Sequence, residues 1–425
     1  MLSWEPLLAG DLGRRSHLAL KEITEDLLRR VASPPGAGDL PHFSLARGHA
    51  GQALFFAYLD RVLPGEGYDD LAIDLLERAV DALSNLDVRP GLYSGFAGVA
   101  WVAEHLQGWL LDPDDADPVE GIMAAILEHL QQTPWRRHYD LIGGLVGFGA
   151  LGLERHPRSG GAECVALVTA HLAELAERQG EGLTWLTRPE LLTPQAAEMT
   201  PQGQYDVGVA HGVPGVVGFL AEAVGAGLAP PAAGPLLAGA VRWILSCKRP
   251  SRGGLFPYHI APGSDLSGSR LAWCYGDPGI ATVLLAAARH TGEPSWEREA
   301  LEAARLAAAR DWSSSSVRDS CLCHGGAGVA HLFNRLFQAS RAPELAEAAR
   351  YWFEWTLADR KPGKGCAGFL HWSMTEERQQ EWLEDPGFLM GSAGIGLALI
   401  AALFPVEPAW DRVLLASIPA APAWD

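Results

Sequence analysis

The sequence predicts an all-α fold, an α/α toroid (barrel) of seven helical hairpins, from three observations. A Gly-x-x-Gly tetrapeptide opening an apolar run recurs seven times. Charge-bearing stretches between the copies carry apolar residues at the three- and four-residue spacing of an amphipathic helix. The glycine-led runs themselves are apolar on every side, so each must be buried on every side. An inner ring of glycine-led helices within an outer ring of amphipathic ones meets all three demands.

The copies begin at Gly48 (RGHAGQALFFAYL), Gly95 (SGFAGVAWVAEHL), Gly144 (GGLVGFGALGLE), Gly212 (HGVPGVVGFLAEA), Gly276 (YGDPGIATVLLAAA), Gly325 (HGGAGVAHLFNRLF) and Gly391 (MGSAGIGLALIAAL). They lie 47, 49, 68, 64, 49 and 66 residues apart. The intervening helices include YDDLAIDLLERAVDALSN, PSWEREALEAARLAAARDW and APELAEAARYWFEWTLADR. Each repeat therefore reads as one outer helix followed by one inner helix, and the glycines as small contacts that let neighbouring helix starts approach. Residues 1–425 form one domain in this reading. The longer intervals hold loop insertions at about 180–207, 248–273 and 359–388, all leading into inner helices at the same end of the toroid.

Composition narrows the function. Glycine, at 48 of 425 residues, exceeds its usual share of about 7% because of the repeat, not because of low complexity. A formal charge of −18 argues against a nucleic-acid surface, which needs clustered Lys and Arg. The N-terminal stretch MLSWEPLLAGDLGRR has no basic leader followed by an apolar core, so no secretion signal is read. Residues 387–406 run twenty positions without a charge, the length of a membrane span. They contain the seventh repeat copy, however, and read as a buried helix rather than an integral membrane segment. Six cysteines scattered along such a chain suit a reducing cytoplasm and buried, catalytic or metal-bound roles. Cys164 and Cys247 fall in helical stretches and read as structural thiols.

Aligning the copies on their first glycine exposes a constellation. The position two residues earlier holds Cys274 in the fifth copy and Cys323 in the sixth; the position between holds His211, Tyr275 and His324 in the fourth, fifth and sixth. The repeat symmetry gathers these at one mouth of the barrel. Two thiolates and an imidazole make a three-ligand set that zinc accepts, with the open fourth position of a catalytic site. Cys274, Cys323 and His324 are therefore the expected ligands of one Zn2+ per chain. Cys321 lies two residues off register, and its part in metal binding stays open. His331, further along the same helix, reads as core.

The strings LAWCYGDPG and CLCHGGAG resemble the zinc motifs of the LanC-like lanthipeptide cyclases, HYDLIGG and GVAHGVPG resemble two more motifs of that family, and SGSRLAW carries its arginine. The resemblance spans essentially the whole chain. It implies addition of a precursor-peptide cysteine to dehydroalanine or dehydrobutyrine, forming lanthionine or methyllanthionine. It also implies functional roles for Asp140, His211, Arg270 and Tyr275. His211 is the expected acid for the α-carbon, Asp140 its orienting carboxylate, Arg270 the donor to the developing oxyanion, and Tyr275 a border of the metal site. Taken singly, Asp140 also reads as a helix N-cap, Arg270 as a surface charge and His211 as a core histidine. The substrate implied is a dehydrated precursor peptide, with a separate dehydratase and a peptide exporter as candidate partners. Two alternatives remain: glutathione addition to dehydroamino acids in proteins, and a non-catalytic zinc- and peptide-binding toroid with Cys321 as a fourth ligand.

Overall fold

The computed structural model describes residues 4–33, 43–83, 88–112, 117–251, 253–262, 268–374 and 379–421. Parts of the expected insertions (252, 263–267 and 375–378), and the end of the expected helix at 84–85, lie outside the described residues. The chain divides into two compact units. One comprises residues 1–89, 93–118 and 317–410, and the other residues 90–92, 119–316 and 411–425.

The first unit contains α1 (Gly10–Ala32), α2 (His49–Val62), α3 (Tyr68–Leu83) and α4 (Phe96–His105). The second contains α5 (Glu120–Leu130), α6 (Leu145–Arg155), α7 (Gly161–Leu175), α8 (Pro194–Met199), α9 (Val213–Gly225), α10 (Ala233–Ser246), α11 (Asp277–Thr291), α12 (Pro294–Ala308) and α13 (Trp312–Ser315). The chain then supplies the first unit with α14 (Gly326–Ser340), α15 (Pro343–Ala358) and α16 (Ser392–Leu403). All seven glycine-led helices are present, with Gly48, Gly95, Gly144, Gly212, Gly276, Gly325 and Gly391 as their N-caps. The amphipathic helices bury one stripe: Ala72, Leu75, Leu76 and Ala79 on α3, and Ala300, Ala303, Ala304 and Ala307 on α12. Every residue of α16 is buried, and no described helix is long and apolar enough to cross a membrane.

The glycines have a more local cause than close approach between neighbouring helices. Before each inner helix the chain doubles back over the first turn. A Cβ at Gly212 would overlap the carbonyl of Asp206, and one at Gly215 the carbonyl of Val209. The same two overlaps recur at Gly276 and Gly279, and at Gly391 and Gly394. Contact with a neighbouring repeat is secondary, as where Phe388 crowds Gly51.

The tight hairpins also run the other way from the expected order. Five inner helices pack against the amphipathic helix that follows them, α2 on α3, α6 on α7, α9 on α10, α11 on α12 and α14 on α15, whereas α4 packs on α2 and on the preceding α3. Short links explain this, Gly292–Glu293 and Arg341–Ala342 being two-residue turns, whereas the links into inner helices are long. Among the described residues α16 is followed by no amphipathic α-helix, and it packs on α1, with Leu7 and Leu8 donating to Ala402 O.

The register read from sequence is visible in the backbone. In the first unit Cys323 N donates to Leu389 O (3.1 Å), Leu389 N to Ala46 O (2.9 Å) and Ala46 N to Tyr93 O (2.9 Å). In the second, Leu141 N donates to Ala210 O (3.1 Å) and Ala210 N to Cys274 O (3.3 Å). The insertions are more ordered than loops. They carry three two-stranded antiparallel sheets: β1 (Glu177–Gln179) with β2 (Gly182–Thr184), β3 (Tyr205–Asp206) with β4 (His259–Ile260), and β5 (His371–Met374) with β6 (Gln380–Leu383).

Candidate active site

The turns leading into α6 and α9 bring Asp140 and His211 together. His211 Nδ1 donates to Asp140 Oδ2 over 2.6 Å, and Gly143 N donates to Asp140 Oδ1 over 3.0 Å. Asp140 is thus a partner for His211 rather than the N-cap of α6, whose cap, Gly144, receives no side-chain bond. The Asp140 side chain is 7% exposed and that of His211 45%. Burial works against the charge on each, but their mutual attraction wins: Asp140 is held below the usual carboxylate range and His211 above the usual imidazole value.

Tyr275 lies alongside, its ring centroid 6.0 Å from that of His211 with 23° between the planes. Its hydroxyl donates to Asp206 Oδ1 over 2.9 Å, and burial pushes that hydroxyl well above its ordinary pKa. Asp206 also accepts from Thr187 Oγ1 (2.6 Å) and Gln204 Nε2 (2.8 Å), although burial still pushes its carboxyl up. Arg270 is one ring further along. Its backbone N donates to Tyr258 OH over 3.1 Å, its guanidinium carbon lies 5.8 Å from the Tyr258 ring centroid, and that ring lies 5.9 Å from Tyr275.

The segment bearing Tyr258 and Arg270 is pinned to the start of α11. Asp277 accepts from Leu255 N (2.9 Å) and Phe256 N (3.0 Å), and Arg310 donates to Ser269 O (2.9 Å) while standing 3.7 Å from Asp277. Val207 N donates to Tyr258 O over 2.9 Å beside the β3–β4 pair.

In the first unit the donor atoms of Asp319, Cys321 and His324 lie within 4.8 Å of one another, with Cys323 the chain neighbour of His324, while Cys274 belongs to the second unit. Their Cys and His donors have the chemistry of a metal site. Cys321 is therefore nearer to His324 than its off-register position suggests: its sulfur accepts the His324 backbone N–H at 3.5 Å. Cys164 and Cys247 are buried thiols pushed up to about 12, which suits structural roles. His331 is core, stacked 4.6 Å from Trp410.

Thr187, Gln204, Asp206 and Tyr258 are the site residues that sequence reasoning missed. One signal was available for Asp206. It stands six residues before the first glycine of its repeat, where the sixth and seventh copies carry Asp319 and Asp385, both buried.

The family model described as lanthionine synthetase C-like protein matches residues 41–415. Among solved structures, nisin cyclase superposes with a TM-score of 0.75 at 21% identity, covering 94% of this chain and 97% of that one. A sugar epimerase from a ruminal bacterium matches with a TM-score of 0.47 at 11% identity, over 91% of this chain and 98% of that one.

Proposed function

Because the chain belongs to the lanthionine synthetase C-like family, we propose that it is a lanthipeptide cyclase, adding a cysteine of a dehydrated precursor to dehydroalanine or dehydrobutyrine in the same peptide. The observation that carries this reading is the Asp140–His211 pair on the wall of a pocket, in a chain that carries Cys274, Cys323 and His324 at matching positions of its repeats. Two thiolates and one imidazole fit tetrahedral zinc with one position left open, so these residues would hold one Zn2+ per chain. Bound there, the ion supplies positive charge that lets a substrate thiol ionise at neutral pH.

The chain's own residues do the rest. The thiol proton leaves to solvent, a carbon–sulfur bond forms at the β-carbon, and the π electrons of the dehydroamino acid shift toward its carbonyl oxygen. Arg270 offers N–H donors to that oxygen. His211, kept protonated by Asp140, passes a proton to the α-carbon and takes one back from solvent, which balances the proton the thiol released, and Asp140 stays ionised throughout. Tyr275, with its hydroxyl committed to Asp206, flanks the imidazole and fixes its plane. The net reaction is an isomerisation. A separate dehydratase would supply the substrate and an exporter would remove the product, in a cytoplasm that keeps thiols reduced.

The test is incubation with a dehydrated, cysteine-containing precursor, followed by thiol alkylation and mass spectrometry. Loss of free thiol with no change of mass is expected. A protein that leaves every precursor thiol unreacted, yet couples added glutathione to the same precursor, would move the assignment to glutathione addition.

A further inference from the structure

Beside His211 the second unit forms a half-open pocket of about 270 Å3. Its walls include the rings of Tyr139 and Tyr275 and the side chains of Ile142, Leu191, Leu192 and Ala196. The carboxylates at its edge already have partners: Asp206 accepts from Thr187, Gln204 and Tyr275, and Asp140 from His211 and Gly143. Among the described residues no Lys or Arg lines it, although His138, Thr193 and His211 do. Apolar contact is therefore the main attraction left for a guest. The volume exceeds the ~150 Å3 cavity that accepts benzene, which leaves room for an aromatic or branched aliphatic side chain.

Leu191, Leu192 and Ala196 all come from one segment, which includes a 3-10 turn at Pro189–Leu191 and α8. Its ends are tied together by Thr187 and Gln204, whose backbones exchange hydrogen bonds of 2.8 and 3.0 Å. Thr193 caps α8 by accepting from Ala196 N at 3.3 Å. The wall is built and anchored next to the proposed proton donor.

We propose that this cavity is a subsite for the apolar side chain of the peptide residue adjacent to the dehydrated one, so that residues 188–203 select the context in which a ring closes. The identity of the guest as a peptide rests on the cyclase reading; the apolar selectivity rests on the cavity.

The experiment uses the zinc-loaded protein and short peptides in which the residue before or after dehydroalanine is Gly, Leu, Phe or Lys. Burying one such side chain should favour Leu and Phe over Gly in kcat/KM by roughly tenfold or more at one of the two positions. Lys should gain nothing. In Ala196→Trp, which fills the cavity, that ratio should fall to within about twofold. Leu192→Asp should lower it as well. Ratios are taken within each enzyme, so any general loss of activity cancels.

Calorimetry with the matching serine peptides, which cannot react, should show the same order in Kd and the same loss in both variants. This arm reports on the subsite even if no ring forms, so failure of the cyclase reading is distinguishable from failure of this one. Ratios within about twofold at both flanking positions, in both assays, overturn the proposal. So does a wild-type preference that survives both substitutions.

Discussion

Replacing Asp140 by Asn removes the charge that holds His211 protonated while keeping the size of the side chain. The bond is short, 2.6 Å, and joins two ionisable groups. Such charge-assisted bonds contribute about 1.5–3 kcal/mol when shielded from water. His211 is 45% exposed, so screening reduces this to about 1–1.5 kcal/mol. Asp140→Asn should therefore lower the His211 pKa, because the carboxylate that raises it is gone. The alkaline limb of the cyclisation rate should move down with it, with an unchanged zinc content.

The two groups also make stability depend on pH in opposite directions. His211 is raised on folding, so its contribution is complete below about pH 6.5 and fades as pH climbs through the folded value. Asp140 is lowered, so its contribution is complete above about pH 3.9 and fades as pH falls through the folded value. The variant should lose about 1 kcal/mol between roughly pH 4 and 6.5 and less at pH 9. Urea unfolding at pH 5.5 and pH 9, with an NMR titration of the His211 ring, reads both effects. An unmoved imidazole titration in Asp140→Asn would refute the reasoning, because the carboxylate would then not be what holds the proton.

Three further outcomes are expected. Cys274→Ala, Cys323→Ala and His324→Ala should each lose zinc, measured by metal analysis, whereas Cys321→Ala should keep it; the reverse pattern for the two neighbouring cysteines would select the Asp319–Cys321–His324 group instead. Gly215→Ala should destabilise the fold by about 1–3 kcal/mol, because its methyl group would meet the carbonyl of Val209; a thermal melt unchanged from wild type would show that the turn can shift. Tyr275→Phe removes one of three donors to buried Asp206, and should cost about 1 kcal/mol in urea unfolding while zinc is retained.

What the sequence revealed, and what it concealed, follows from how local each feature is. A glycine pair with an apolar run writes both the helix start and its burial into four or five residues, so all seven inner helices were legible. The repeat register was legible as well, and Ala210, Cys274, Cys323 and Leu389 meet their neighbours through backbone bonds at that position. The cause of the glycines was not, since the carbonyl that fills each missing side chain belongs to a turn without helical or strand periodicity. Tyr258 was invisible for a different reason: it reaches Tyr275 and Arg270 only because Asp277 and Arg310 fasten its segment, through contacts spanning tens of residues. Asp206 was half legible, having a repeat position but no motif to draw attention to it.

The pairing of α1 with α16 has a consequence for how the chain is made. The stripe of α1 formed by Ala19, Leu20, Ile23 and Leu27 is buried in the finished protein, yet α16 is among the last helices to be synthesised. Roughly 360 residues separate the two, which at about 5–20 residues per second is roughly 20–70 s of translation. Through that interval the stripe lacks the cover of α16, and α15, which also packs on α1, comes only about 50 residues sooner. The apolar stripe of α1 is therefore closed late, by helices made after most of the described chain.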